Sequence, residues 1–310
     1  MKIHTALPAQ KVLERCALSI GTFDGVHRGH RALVESLKRH AAARDLPTAV
    51  LTFQDMPHCF FRPDDCPRLL TLPNEKIAAF AELEIDFVFI VPFDKKIAAQ
   101  NYDDFVAGVL RDKLGAQLLV IGPDFALGKN RAGDTRALKI LGEKIGYETQ
   151  VLRDKIEFAG AAISSTRVRG AVENGKVEDA AQMLGRAFTL SGEVVGGKKL
   201  GRAIGVPTIN FQTSPRKVLP ATGIYAARAF LDDGRTPKAA ALSIGTNPTV
   251  SEDTSLKLEF HVIDEMIRDA PKTVRVEMVQ WLRGEEKFAS LDALVAQMQN
   301  DIAQAREILR

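Results

Sequence analysis

A short strand that runs into a glycine turn and leaves it as a helix constrains the fold more than anything else in these 310 residues. Cys16 to Ile20 is an apolar run, Gly21 breaks it, and Asp24 and Gly25 lead to His27 and His30 just ahead of the amphipathic stretch Arg31 to Arg44. Glycines at 21, 25 and 29 let backbone N–H groups close on an anion, and the positive end of the helix dipole adds to the attraction. The expected guest is a phosphate. If the helix begins near residue 27, His27 and His30 share a face and point toward one ligand. No neighbouring group activates either ring as a nucleophile, so the expected role is hydrogen-bond donation to charge developing on a phosphate. The plainer alternative is a pair of surface histidines.

Apolar runs and helical patterns then alternate: Thr48 to Phe53, helix Asn74 to Leu83, Phe87 to Val91, helix Tyr102 to Lys113, Gln117 to Gly122. This is the pattern of a doubly wound parallel sheet, which binds ligands beyond the carboxyl ends of its strands. The loop after Ile20 and the loop Gly122 to Phe125, with Asp124, should therefore face one crevice. The second loop continues through Lys129 and Arg131 to Asp134, and those cations suit a charged ligand or plain solvent equally well. Further on, Ile163-Ser-Ser-Thr-Arg-Val-Arg169 sets hydroxyls and amides at a helix start, a nest for a polyphosphate or an ordinary cap followed by surface arginines.

Beyond a short helix, Val177 to Leu184, the period changes. Strand-like runs at Phe188 to Val195, Gly223 to Leu231, Lys238 to Ile244, Leu256 to Ile263 and Thr273 to Leu282 precede one helix, Leu291 to Leu309. A small antiparallel β-barrel with a terminal helix is expected, with a boundary near residue 186 that gives domains 1–186 and 187–310. Within it, Gly192 to Asn210 is glycine-rich and basic, and could cover phosphates with Gly201 and Gly205 while Thr208 and Asn210 offer oxygens to magnesium. Alternation along Leu258-Glu-Phe-His261 puts Glu259 and His261 on one face, where Glu259 could act as a base or simply meet solvent.

Charge argues against a polyanionic partner. A net charge of +3 and no run of five like charges do not favour nucleic acid. No apolar stretch is long enough to span a membrane, and no signal core opens the chain, so small-molecule substrates and a cytoplasmic place are expected. Oligomeric state is not readable. Cys16, Cys59 and Cys66 are an odd number without a C-x-x-C pair, so reduced thiols are expected.

The wording Gly21-Thr-Phe-Asp-Gly-Val-His-Arg-Gly-His30 resembles the H-x-G-H signature of the nucleotidyltransferases, and specifically the bacterial bifunctional riboflavin kinase/FAD synthetases. Ile163 to Arg169 differs from that family's I-S-S-T-R-I-R in one apolar residue. Pro207-Thr-Ile-Asn210 keeps its P-T-x-N core, and Glu259 stands in its E-x-H context. The resemblance implies two reactions: riboflavin and ATP give FMN in the barrel domain, and FMN and a second ATP give FAD and pyrophosphate in the N-terminal domain. It further implies catalytic roles for His27, His30 and Glu259. Nucleotide contacts would come from Gly21, Thr22, Phe23, Asp24, Gly25, Asp124, Ser164, Ser165, Thr166, Arg167, Arg169, Gly201 and Gly205, and Mg2+ would sit at Thr208 and Asn210.

Two stretches depart from the family. Thr52-Phe-Gln-Asp-Met-Pro-His-Cys59 delays Pro57 and His58 by two residues, and Asp264 to Pro271 lacks the usual aromatics and glycine. The second keeps open a FAD synthetase with a degenerate kinase-like domain. Two other readings compete: a flavin-binding regulator without catalysis, against which the intact H-x-G-H and I-S-S-T-R motifs speak, and cytidylyl transfer to another phosphorylated alcohol, which leaves the second domain unexplained.

Overall fold

The computed structural model describes residues 1–196, 205–232, 234–245 and 256–310, which fall into two compact units, Met1–Ser165 and Thr166–Arg310. The first unit is a six-stranded sheet of β1 (Lys2–His4), β2 (Cys16–Ile20), β3 (Thr48–Phe53), β4 (Phe87–Val91), β5 (Ala116–Ile121) and β6 (Glu148–Val151) in the order β1-β4-β3-β2-β5-β6. All of its pairings are parallel. The chain steps outward from β2 through β3 to β4, then returns to β2's other side with β5. That reversal places the switch point between the carboxyl ends of β2 and β5, where the sequence put its two loops.

Residues alternate along the strands and feed two cores. Ala17, Val50, Val88 and Leu118 pack with Leu33, Val34 and Leu37 of α1 (Arg28–Ala42), on the face that also takes Ala79 and Phe80 of a later helix. Leu18, Leu51, Phe89 and Leu119 pack on the opposite face with Phe105, Val109, Leu110 and Leu138. Burying both faces explains why these strands read as continuous apolar runs.

The first helix starts at Arg28 with His27 as its cap, close to the start near residue 27 that sets both histidines at its head. Two local expectations change. The helix expected over 102–113 is a single α-turn, Tyr102–Phe105, followed by a π-helix, Val106–Arg111. The expectation of three reduced thiols is corrected: Cys59 and Cys66 form a disulfide and only Cys16 is free among the described residues. Spacing alone hid this pair. The short α2 (Pro57–Phe61) and the 3-10 turn Pro63–Asp65 fold the chain back until the two Cα atoms are 4.6 Å apart.

In the second unit, α5 and α6 are preceded in chain order by α3 (Pro73–Glu82) and α4 (Thr135–Ile145) of the first. Helix α5 (Ser165–Glu173) begins at the division between the units, and α6 (Val177–Leu184) packs against the barrel. Compactness thus groups residues 166–186 with the barrel, whereas the sequence boundary near 186 follows the change of period.

The barrel is closed. Its strands β7 (Phe188–Val195), β8 (Ile209–Gln212), β9 (Gly223–Leu231), β10 (Lys238–Gly245), β11 (Lys257–Val262) and β12 (Thr273–Arg283) run in the order β7-β8-β11-β10-β9-β12, and β12 returns to pair with β7. Leu190, Tyr225, Leu242, Phe260 and Met278 are buried. Helix α7 (Leu291–Leu309) lies against β9, β10 and β12, with Ile302 and Ala305 in a core beside Ala226 and Ile263. Arg283 ties it down with a two-pronged pair to Asp301, at 2.9 and 2.7 Å.

Candidate active sites

The first site grows from the turn between β2 and α1. Phe23, Gly25 and Val26 have φ of 49°, 84° and 40°, a left-handed region that costs roughly 1–3 kcal/mol for a residue bearing a side chain. A cluster of bonds to the segment before α3 holds the turn in that shape. The Asp24 carboxylate accepts the amides of Leu70 (2.9 Å) and Thr71 (3.1 Å), Gly25 N–H donates to Thr71 Oγ1 (3.0 Å), and Ser165 Oγ donates to the Asp24 carbonyl (2.8 Å). Asp24 is 1% exposed. Its side chain is thus engaged in shaping the turn.

The turn delivers the histidines to the head of α1. His27 caps the helix, its Nδ1 accepting the His30 amide N–H at 3.3 Å, so the neutral ring carries its proton on Nε2. The two imidazoles stack with centroids 3.6 Å apart and planes at 15°. A Cβ on Gly29 would come within 3.2 Å of the His27 ring, which gives the H-x-G-H spacing a steric reason. Phe23 sets its ring edge against His30, 5.2 Å between centroids. Burial, with the nearby charges of His27 and Lys76, pushes the pKa of His30 well below its ordinary value, so it is neutral at pH 7. Among the described residues its buried Nδ1 has no hydrogen-bond partner.

Both histidines line a cavity of about 1140 Å3 at the switch point. Gly21, Thr22 and Phe23 form its wall on the β2 side, Gly122 to Phe125 on the β5 side, and Ser164 closes another edge. A volume at the upper end of ordinary ligand pockets suits more than one ligand moiety. Lys129, Arg131 and Lys155 also line it; Lys155 pairs with the Asp124 carboxylate at 2.7 Å, and Arg131 donates to the Asp124 carbonyl at 3.0 Å. Phe53, Phe61 and Phe93 give the far end an aromatic lining, and the disulfide-tied α2 contributes Pro57 and His58. His58 Nε2 lies 3.0 Å from the Asp65 carbonyl.

Of the first unit's other candidates, Gly25 and Ser165 shape the turn, and Gly25 is buried. Thr166, Arg167 and Arg169 follow in α5, with Arg169 buried; none of these five residues nor Asp24 is on the cavity lining. One residue escaped the sequence reading altogether: Lys76, 2% exposed, with its ammonium beneath the Thr22 carbonyl. A lysine on the same helical stripe as Ala79 and Phe80 was the available signal.

The second site is built by strand register. Antiparallel pairing sets Asn210 of β8 and Ser243 of β10 on either side of Glu259 in β11, all on one face. Thr208 Oγ1 donates to Glu259 Oε2 at 3.2 Å, while His261 Nδ1 lies 2.8 Å from the Pro207 carbonyl and pins the start of β8. Thr208, Asn210 and Glu259 are half-buried. This all-oxygen set suits a hard cation such as Mg2+. Gly205 precedes it at φ 80°, and Gly201 lies outside the described residues.

Residues 9–167 match the family model described as FAD synthetase, and residues 184–309 match the one described as riboflavin kinase. A protein of Escherichia coli strain K12 described as bifunctional riboflavin kinase/FMN adenylyltransferase is 38% identical over 96% of this chain and 94% of its own length. Proteins of the same description from Pseudomonas fluorescens and Haemophilus influenzae are 36% and 35% identical, over 94% and 96% of this chain and 93% and 96% of theirs. A crystal structure from Streptococcus pneumoniae, described as a macrolide-efflux protein, aligns with a TM-score of 0.88 at 27% identity, covering 98% of both chains. No helix among the described residues here is long and apolar enough to cross a membrane.

Proposed function

The chain belongs to the bifunctional riboflavin kinase/FMN adenylyltransferase family, and from that premise we propose how its residues divide the work. It is an enzyme of flavin cofactor synthesis that phosphorylates riboflavin to FMN with ATP, then adenylylates FMN to FAD with release of pyrophosphate. The efflux name carried by the S. pneumoniae structure does not alter this, because both halves of the chain match models of flavin-converting domains.

Adenylylation belongs to residues 1–186. One observation carries the assignment: a stacked pair of imidazoles, His27 buried and His30 partly buried, at the start of α1 and on the wall of the large cavity. An FMN phosphate oxygen attacks the α-phosphorus of ATP and pyrophosphate leaves. Neutral His27 and His30 donate N–H groups to the oxygens on which charge grows, and the positive end of the α1 dipole adds to that field. Asp124 and Ser164 reach the nucleotide from the cavity wall, and Ser165, Thr166, Arg167 and Arg169 are assigned to its phosphates by the family motif.

Phosphorylation belongs to residues 187–310. Glu259 accepts the proton of the riboflavin hydroxyl as that oxygen attacks the γ-phosphorus, and ADP leaves. Thr208 and Asn210 would hold Mg2+, which neutralises phosphate charge when bound. Gly201 and Gly205 are assigned to the cover over those phosphates. We place the enzyme in the cytoplasm, where ATP serves both steps; the Cys59–Cys66 disulfide is the feature that speaks against that placement.

Purified protein given riboflavin, ATP and magnesium, with flavins separated over time, tests the whole reading. FMN followed by FAD is expected. FAD formed only from supplied FMN would mean a degenerate kinase domain, and no conversion would mean a binding protein.

A further inference from the structure

Lys76 lies on α3, and an ammonium as deeply buried as this one is costly unless its protons are met. The crevice meets them. Nζ donates to the Thr22 carbonyl at 2.8 Å and to the Phe53 carbonyl at 2.9 Å, with Thr52 Oγ1 at 3.5 Å. Thr52 Oγ1 itself donates to the Thr22 carbonyl at 3.0 Å. The lysine therefore joins the carboxyl end of β3 to the first residues of the phosphate turn. Its ionisable neighbours are Asp24, whose charge favours the ammonium, and His30, which feels both Lys76 and His27.

We propose that Lys76 is a positioning residue for adenylyl transfer: it fixes the carbonyl that leads into the phosphate turn and keeps a positive charge behind the histidine pair. The inference rests on the adenylylation reading of this site. Charge and hydrogen bonding can be separated. A neutral amine still has N–H groups for Thr22 and Phe53, so the clamp survives loss of the proton, while the pull on phosphate and the suppression of His30 protonation do not. Burial lowers the lysine from 10.5 to about 8, which brings that separation within reach of an assay.

The test measures adenylylation of supplied FMN from neutral to alkaline pH in the parent, Lys76→Met and Lys76→Arg. Riboflavin phosphorylation in the same samples reports folding and the other site, and NMR follows the titration of the His30 ring. In the parent, kcat/KM should fall as pH passes about 8, by up to about tenfold per pH unit for one essential proton. The arginine variant, which keeps its charge, should lose that limb. The methionine variant should lower kcat by about tenfold or more with little change in KM, leave riboflavin phosphorylation intact, and raise the pH at which His30 titrates.

A parent profile flat through pH 8, full adenylylation by Lys76→Met, or an unmoved His30 titration would each overturn the proposal. Should both variants misfold, the parent's profile decides. Should the parent not adenylylate FMN at all, the reading of the site has failed, and the His30 shift in Lys76→Met still reports whether the lysine's charge reaches the pair.

Discussion

In the N-terminal unit the groups aimed at phosphate sit in a buried turn with φ angles few side chains adopt, held by Asp24, Thr71 and Lys76. In the barrel, Asn210 and Glu259 stand half-buried on paired strands, placed by register, with Thr208 just ahead of β8 and bonded to Glu259. The first arrangement is fixed before substrate arrives, at a cost in local strain that the clamps offset. The second leaves its carboxylate half-exposed on a regular scaffold. Preorganised donors and a proton acceptor are different tasks, and the roles proposed for the two sites match this difference in build.

The largest effect should come from Glu259→Gln, which keeps the Thr208 contact but cannot take a proton: riboflavin phosphorylation should drop by roughly 10² to 10⁴, with adenylylation of supplied FMN unchanged. An equal loss of both would erase the separation between the units. His30→Ala should be the mirror image, lowering FAD formation by about 10² to 10³ while FMN still accumulates. A smaller and structural break is Arg283→Ala, which takes the guanidinium away from the buried Asp301 carboxylate and should cost about 3–5 kcal/mol of the barrel's stability in urea unfolding.

Alkaline pH sharpens the comparison further. Lys76 is lowered in the folded state, so the neutral form stabilises the fold; that contribution is full above 10.5 and lost as pH falls through about 8. The unfolding free energy of the parent should therefore rise between those values relative to Lys76→Met, and parallel curves would place the lysine's proton elsewhere. Smallest of all, Cys59→Ser opens a short loop of α2, and should cost no more than about 2.5 kcal/mol by loop-closure entropy.

Most of the architecture was legible because both sheets write their burial into the sequence, as unbroken apolar runs in the first unit and as alternation in the barrel. The histidine turn was legible too, since its residues are contiguous. Strand β1 was missed because three residues at an edge, Lys2 to His4, carry too little pattern. The π-turn at Val106–Arg111 was missed because its apolar spacing is close to that of an α-helix. Asp24 reads as a ligand group in the motif, yet its partners Leu70 and Thr71 are backbone amides 46 and 47 residues away, which no side-chain pattern encodes. Lys76 was hidden for the same reason, its acceptors being carbonyls.

The closure of the barrel sets an order on biosynthesis. The first unit has the last strand of its six-stranded sheet by Val151, whereas β12 must pair with both β7 and β9 before the barrel exists, and it ends only at Arg283. A growing chain can therefore assemble the crevice at the switch point, lined up to Ser164, while β7 to β11 still wait with an unsealed edge. Ribosomes that stop short of β12 release a polypeptide with one finished unit and one open sheet, the kind of exposed edge on which chaperones and proteases act.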